Sequence, residues 1–576
     1  MTGQDEILAY DRLLVRDPRN AELWCERGAV QMQMHRLDEA LKSFNNALTL
    51  EPRHFAALVR RGNIRLMQKQ PAAAITDYDR ALLVLPDSAG TLYNRGTAHR
   101  NLKQIPEALA DYDRAMTLEP SLPHLEGARM QARLEMCDWR DYDRDSAALL
   151  AHVGAGKRAA IPFAILALPA SPAQILTCAQ TYARNKFPAA ATPLWNGEKY
   201  AHDRIRIAYL CGGFGEHPVA AVLQDVLAAH DKSRFELTGI SFLPDDGGPI
   251  RARIMPLFDR FIDATRMDDD QVARLVRSLE IDIVIDLDGF TETSRTAVLA
   301  KRAAPVQVNW LGFPATMGAD YIDYVIVDAI VAPDPAFFAE KIVTLPGTFF
   351  PAENRPPLPP APSRANCGLP ETGFVFCAFN NNYKITPDIF DIWMRLLAAV
   401  DGSVLWLRQL NGAVKNNLRR EAEMRGITAD RLVFAPTLAS RQDNIARQQL
   451  ADIFLDTLYY NAHSTACDAL WAGLPVVTCC GPAFAGRVAA SLLHAIGMDE
   501  LAMDSLEDYE KLALRLAQEP ALLAATRQKL QDNRATTPLF DTARFTRNLE
   551  NSYTAMQDRV QRGLPPETFA VALTVR

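Results

Sequence analysis

Apolar and polar positions along this chain follow two different rhythms. Over the first 120 residues the pattern returns every 34 positions. Gly28, Gly62 and Gly96 hold one place in it; Ala40, Ala74 and Ala108 another; Phe44, Tyr78 and Tyr112 a third; Ala47, Ala81 and Ala115 a fourth; and Pro52, Pro86 and Pro120 the last. A small residue lets two helices approach, an aromatic fills the gap between them, and a proline stops the second helix. The pattern therefore predicts paired antiparallel helices stacked into a solenoid, with a concave groove suited to a peptide or protein.

A period of 34 with these residue types is the tetratricopeptide pattern. Counting back one period from Phe44 and Pro52 reaches Tyr10 and Pro18, so a half repeat opens the chain. The repeats are expected over 1–122 and a helical connector over 123–200. From Arg204 the rhythm changes to short Val/Ile-rich runs: RIRIAYLC, FELTGISF, IDIVIDLDG, VQVNWLG and YVIVDAIV. These have the texture of buried parallel strands, and helical stretches alternate with them. After the proline-rich segment Pro351–Pro370 a second such series follows: FVFCAFN, SVLWLRQ, LVFAPT, IFLDT and PVVTCC. The expected fold is two doubly wound, Rossmann-like α/β lobes, 201–365 and 366–576, with ligands outside the carboxyl ends of the strands. The last helical run, LFDTARFTRNLENSYTAMQDRV, is expected to pack back across the lobes.

The stretch Asn461–Gly481 focuses the chemistry. It follows the strand ADIFLDT, opens with His463, Ser464 and Thr465, and continues as an amphipathic helix closed by Gly473 and Pro475. Ser464 or Thr465 is the natural N-cap. Strand, polar loop and helix N-terminus together make an anion site, because unpaired N–H groups and the positive end of the dipole face outward. Asp468, one turn further, can accept hydrogen bonds from sugar hydroxyls.

Composition narrows the class. A net charge of −7 argues against nucleic acid or an anionic membrane as the main partner. No apolar run has the length needed to span a bilayer, and MTGQDEILAYDRLL lacks a signal-peptide pattern. Nine scattered cysteines read as reduced thiols in a cytoplasmic protein, with Cys479 and Cys480 as packing residues. No Cys/His cluster has zinc spacing, and no Walker or G-x-G-x-x-G loop is present, so no metal and no cofactor are expected.

Taken together, the 34-residue repeats, CDWRDYD, GFGEHP, WLGFPATMGADYIDYVIVD, FNNNYKITP, SVLWLR, RQQLADIFLDT, HSTACDALWAGLPVV and GRVAAS resemble the nucleocytoplasmic protein O-linked N-acetylglucosamine transferase family, its bacterial members in particular. The resemblance implies a GT-B type, two-lobed, inverting glycosyltransferase that works without a metal. Its donor would be UDP-N-acetylglucosamine, and its acceptors Ser and Thr hydroxyls of proteins held by the repeat groove. Carried onto matching positions, it places Lys384 beside the diphosphate, Asn381 as a donor-binding amide and Asp468 at the ribose. Ala439 would offer backbone groups to the uracil, with Arg441 and Asn444 in the same loop. Asn444 departs from the animal members, which carry a base-stacking His there. Arg447, one turn on, is a phosphate partner or a surface charge.

The residues themselves fit that chemistry. Sugar transfer leaves charge on a pyrophosphate, and without a metal that charge must meet preplaced donors. The start of the helix at His463, Ser464 and Thr465 is one source and Lys384, at a strand end, is another. In the first lobe His217 stands at a helix entrance with Pro218 in the first turn. It is assigned to positioning the acceptor first and to general base second. Asp245, in LPDDGG, is a further acid/base candidate whose plainer reading is a turn residue. Two other functions stay open: a SPINDLY-like protein O-fucosyltransferase using GDP-fucose, and a repeat scaffold with inactive lobes.

Overall fold

A computed structural model describes residues 3–34, 36–352, 357–438 and 440–572. It divides into two compact units, Met1–Asp138 with Arg158–Ala160, and Trp139–Lys157 with Ile161–Arg576.

The first unit is helical: α1 (Gly3–Arg16), α2 (Ala21–Gln33), α3 (Leu37–Leu50), α4 (Phe55–Met67), α5 (Pro71–Val84), α6 (Ala89–Asn101), α7 (Ile105–Leu118) and α8 (Leu125–Met136). Its period has a direct steric cause. A Cβ at Gly28, Gly62 or Gly96 would lie 2.7, 2.6 and 2.7 Å from the rings of Phe44, Tyr78 and Tyr112, so each aromatic beds on bare backbone. Two further sets share the spacing. Asn20, His54 and Ser88 each cap the helix that follows, accepting the N–H three residues on. Arg27 pairs with Asp11 at 2.7 Å, Arg61 with Asp77 at 2.6 Å, Arg95 with Asp111 at 2.5 Å and Arg129 with Asp113 at 2.5 Å. Arg129 lies in α8, so the helical stack runs past the expected boundary at 122. The segment 158–160 also belongs to this unit, with the Gly127 N–H donating to Ala159 O at 3.0 Å.

The second unit holds two parallel sheets. The strands of the first are β1 (Ile205–Cys211), β2 (Phe235–Ser241), β3 (Arg260–Asp263), β4 (Ile283–Asp286), β5 (Val306–Asn309), β6 (Tyr324–Val327) and β7 (Lys341–Thr344). Those of the second are β8 (Val375–Ala378), β9 (Val404–Leu407), β10 (Leu432–Phe434), β11 (Ile453–Leu455), β12 (Val476–Cys479) and β13 (Ala502–Met503). The edge strand β14 (Phe569–Ala570) completes the first sheet, whose order is β14-β7-β6-β5-β4-β1-β2-β3; the second runs β10-β9-β8-β11-β12-β13. Both orders reverse direction once, between β1 and β4 and between β8 and β11. Ligand crevices of doubly wound folds open at such points.

The closing segment belongs to the first lobe, not to the second. On helix Thr542–Gln561, Glu550 meets His230 at 3.0 Å, Tyr553 meets the Tyr209 hydroxyl at 3.1 Å and Gln557 meets Asp282 at 2.9 Å. Its continuation β14 then pairs with β7. The lobes are joined by Arg487, which donates to Ile330 O at 2.6 Å, and by Ser491, which donates to Asp328 at 2.6 Å. The edge-to-face pair Phe349–Phe484 adds an apolar contact.

Candidate active site

The second-lobe crevice lies between the loops that leave β8 and β11. Lys384 ends the single turn Asn382–Lys384 after β8 and is buried. Its Nζ donates to Asn461 O at 2.8 Å and sits 3.8 Å from the centre of the Tyr460 ring. Burial pulls its pKa down to about 7; Asp456 opposes that shift and the nearby Arg408 adds to it. Burial thus leaves the protonated form of Lys384 without a full counter-charge, and an anion beside Nζ would favour that form. Phe163, from the connector, packs against both Tyr383 and Tyr460 and closes the apolar side.

Beneath Lys384 the Asp456 carboxylate organises the floor. It accepts from the Ala462 N–H at 2.7 Å, Asn380 Nδ2 at 2.8 Å and Thr478 Oγ1 at 2.8 Å. These bonds hold the loop that delivers His463. The N-cap of helix Ser464–Trp471 is His463 itself, one residue earlier than the sequence suggests; Ser464 and Thr465 are its first helical residues. The Ala466 and Cys467 N–H groups turn back to His463 O, which leaves the Ser464 and Thr465 N–H groups directed out of the helix start. Burial, reinforced by Lys384, holds the His463 imidazole well below its ordinary pKa, so it stands neutral.

The other nucleotide-side candidates divide. Asp468 is half-buried and 3.4 Å from the Arg441 guanidinium, which links the helix to the loop after β10. Ala439 lies outside the described residues. Asn444 donates its amide to Ser440 O at 2.8 Å, within its own turn. Arg447 is neither a phosphate partner at the mouth nor a surface charge. It is buried, lies over the rings of Phe379 and Trp406 and bonds to Pro436 O, its wide apolar guanidinium face covering those rings. Asn381 is exposed and contacts Arg408, a cation at the carboxyl end of β9 that sequence reasoning did not single out. Its signal was available: SVLWLR ends a buried strand on a charge.

The first-lobe crevice differs. His217 is the N-cap of helix Pro218–Ala229, and its Nδ1 accepts the Val219 N–H at 3.3 Å. Its outer edge is exposed, but its inner edge lies over Gly213, where a Cβ would come within 2.7 Å of Nδ1. Desolvation there lowers its pKa below the ordinary value. With Nδ1 used as an acceptor, the neutral ring carries its proton on Nε2, which is the tautomer the hydrogen-bond network assigns. That nitrogen can donate, and it can take a proton only if the cap is given up.

Carboxylates hold the backbone of the loop that leads to His217. Asp288 accepts the Gly212 N–H at 2.6 Å, and Asp286, buried below it, accepts from the Asp288 and Gly289 N–H groups at 3.0 and 3.2 Å. Burial and the adjacent Asp288 push the Asp286 carboxyl up to about 7. Asp245 behaves as the turn residue: it accepts the Gly247 N–H at 2.9 Å and pairs with Arg251 at 3.4 Å. It borders a hollow of about 580 Å³ with Gly247, Gly248, Ala252, Met255 and Pro256. Its neighbour Asp246, unremarked in the sequence, is the one that reaches the His217 loop, accepting the Glu216 N–H at 2.8 Å. Among the described residues no group of three or more His, Cys, Asp or Glu is arranged to hold a metal ion, and no helix is long and apolar enough to cross a membrane.

Comparison with known proteins agrees with this architecture. The model of glycosyl transferase family 41 matches residues 192–359 and 352–549, and tetratricopeptide repeat models match 21–54 and 68–123. A probable UDP-N-acetylglucosamine–peptide N-acetylglucosaminyltransferase of Arabidopsis thaliana is 36% identical over 377 residues, 64% of this chain and 38% of the relative. The SPINDLY protein of Solanum lycopersicum, described in the same words, is 31% identical over 384 residues, 65% of this chain and 41% of its own. The chain thus spans less than half the length of these curated relatives. Among solved structures, a mutant of the Thermobaculum terrenum O-GlcNAc transferase superposes with a TM-score of 0.69 at 28% identity, covering 95% of this chain and 99% of that one.

Proposed function

The chain belongs to glycosyl transferase family 41, and from that premise we propose that it transfers N-acetylglucosamine from UDP-N-acetylglucosamine to Ser or Thr hydroxyls of proteins, with inversion and without a metal. The observation that carries this reading is Lys384: an amine with a pKa near 7, seated over an aromatic ring beside a helix start. Such a group gains most when an anion arrives. The uridine diphosphate lies in the second-lobe crevice, its ribose at Asp468 and its phosphates at Lys384 and the Ser464 and Thr465 N–H groups. Ala439, Arg441, Asn444 and Asn381 border the base and the sugar.

In the reaction the bond from the anomeric carbon to the β-phosphate oxygen breaks, and its electron pair leaves with UDP. The acceptor oxygen attacks the opposite face of that carbon, and its proton passes to solvent. Lys384 and the helix start meet the charge that grows on the diphosphate. His217, as a neutral Nε2–H donor, orients the acceptor or the transferred sugar. The repeat groove recruits the acceptor protein, and the enzyme works in the cytoplasm. Nucleic acid and membrane are not partners.

Transfer assays with a protein acceptor, UDP-N-acetylglucosamine or GDP-fucose, and a chelator test the reading. Transfer from the UDP sugar, unaffected by chelator and lost in Lys384→Ala, is expected. Transfer from GDP-fucose instead, or no transfer from either donor, contradicts it.

A further inference from the structure

The loop from Gly212 to His217 is held at both ends by carboxylates that neither the sequence motifs nor the family reading assign. At its inner end Asp288 accepts the Gly212 N–H at 2.6 Å and lies 3.6 Å from Cys211 Sγ, which in turn accepts the Gly213 N–H at 3.1 Å. Gly213 is the residue on which the His217 ring rests. At its outer end Asp246 accepts the Glu216 N–H at 2.8 Å, and Glu216 returns the bond by accepting the Ile250 N–H at 3.2 Å. The fit is close: a Cβ on Gly215 would stand 2.3 Å from Asp246 Oδ2. Two short bonds to charged acceptors thus fix a glycine-rich loop that would otherwise sample many conformations.

We propose that Asp246 and Asp288 are positioning residues for His217. The inference rests on the reading of His217 as the group that meets the acceptor or the transferred sugar. Asp246 is exposed and makes no bond to the sheet core, so removing it releases the loop without opening the lobe. Asp288 is buried, and its replacement by Ala would strand the Gly212 N–H; Asp288→Asn keeps an acceptor oxygen there and serves as the conservative variant.

A double-mutant cycle on the full chain tests this. Asp246→Ala should lower kcat for protein acceptor by roughly 10–100-fold, the range mispositioning produces, with KM for the UDP sugar within about twofold. Gly215→Ala, which crowds the same latch, should reproduce the loss, and Asp288→Asn should retain most activity. In the His217→Ala background Asp246→Ala should cost no more than about twofold, because the two residues act as one unit. If Asp246→Ala costs as much in the His217→Ala background as in wild type, or leaves wild-type kcat unchanged, the proposal is wrong. If His217→Ala itself transfers at wild-type rate, the reading beneath the proposal fails, and the proposal with it.

Discussion

The two crevices are built on the same strand order and filled with opposite chemistry. Each opens where its sheet reverses direction, between β1 and β4 in one lobe and between β8 and β11 in the other. In the second lobe the crevice presents a buried amine, a helix start and a further cation at Arg408. In the first it presents a neutral imidazole at a helix start, on a loop whose backbone is held by the carboxylates of Asp246 and Asp288. A diphosphate would be welcomed by one and repelled by the other. The difference teaches that one topology can carry two unlike crevices, as the proposed group transfer requires, and that side chains beyond the strand ends set the chemistry of each.

The sharpest way to break this contrast is to neutralise the cationic side. Lys384→Met should lower kcat/KM by about 10³-fold, since a preplaced group facing developing charge is worth 10²–10³ or more in rate. It should also raise the melting temperature. Lys384 has a depressed pKa, so between about 7 and the ordinary lysine value the unfolded chain holds a proton that the native chain does not. Stability from this residue therefore rises with pH across that window, and below it the buried charge costs on the order of a few kcal/mol. A melting temperature unchanged from pH 6 to 9 in wild type and Met variant alike would count against the buried amine.

Next in size is the first-lobe donor. His217→Ala should cut transfer by about 10²-fold, as loss of orientation does. Because Nδ1 is committed to the Val219 N–H, the acidic limb of the pH profile should persist in the mutant. A flattened limb would assign His217 the base role instead.

A smaller effect sharpens the electrostatics. A UDP sugar has no phosphate group titrating between pH 6 and 9, so pH acts on its binding through the protein. Affinity should fall as pH rises through about 7, by up to about tenfold per unit, because binding favours protonated Lys384. The slope should vanish in Lys384→Met. The smallest effect is at the base: Asn444→His should tighten UDP binding by about fivefold, since stacking on a base is worth about 1 kcal/mol at its lower end.

Much of this was legible in the sequence, for reasons that differ by residue. Lys384 and His217 follow strand runs directly, and strand ends point at ligands in a doubly wound fold. The repeats announced themselves because a ring on a glycine must recur with the period. The Arg27, Arg61, Arg95 and Arg129 rungs shared that period, yet mixed charge looks like an ordinary solvated face until the partners are seen. Asp245 and Asp246 are chemically identical neighbours that each accept an N–H two residues on, and only the turn geometry brings the second oxygen of Asp246 to Glu216. Arg447 misled because an arginine one turn beyond a binding loop can as well cover aromatic rings as meet phosphate. The destination of helix Thr542–Gln561 was hidden too, since an apolar stripe does not name the lobe it will cover.

The most direct test of the division between the crevices is calorimetric titration of UDP into His217→Ala. A dissociation constant within about twofold of wild type is expected, no charge-assisted bond worth about 1.5–3 kcal/mol having been removed, even though transfer has collapsed. A loss of UDP binding comparable with that of Lys384→Met would contradict it, and would place His217 on the nucleotide side of the enzyme.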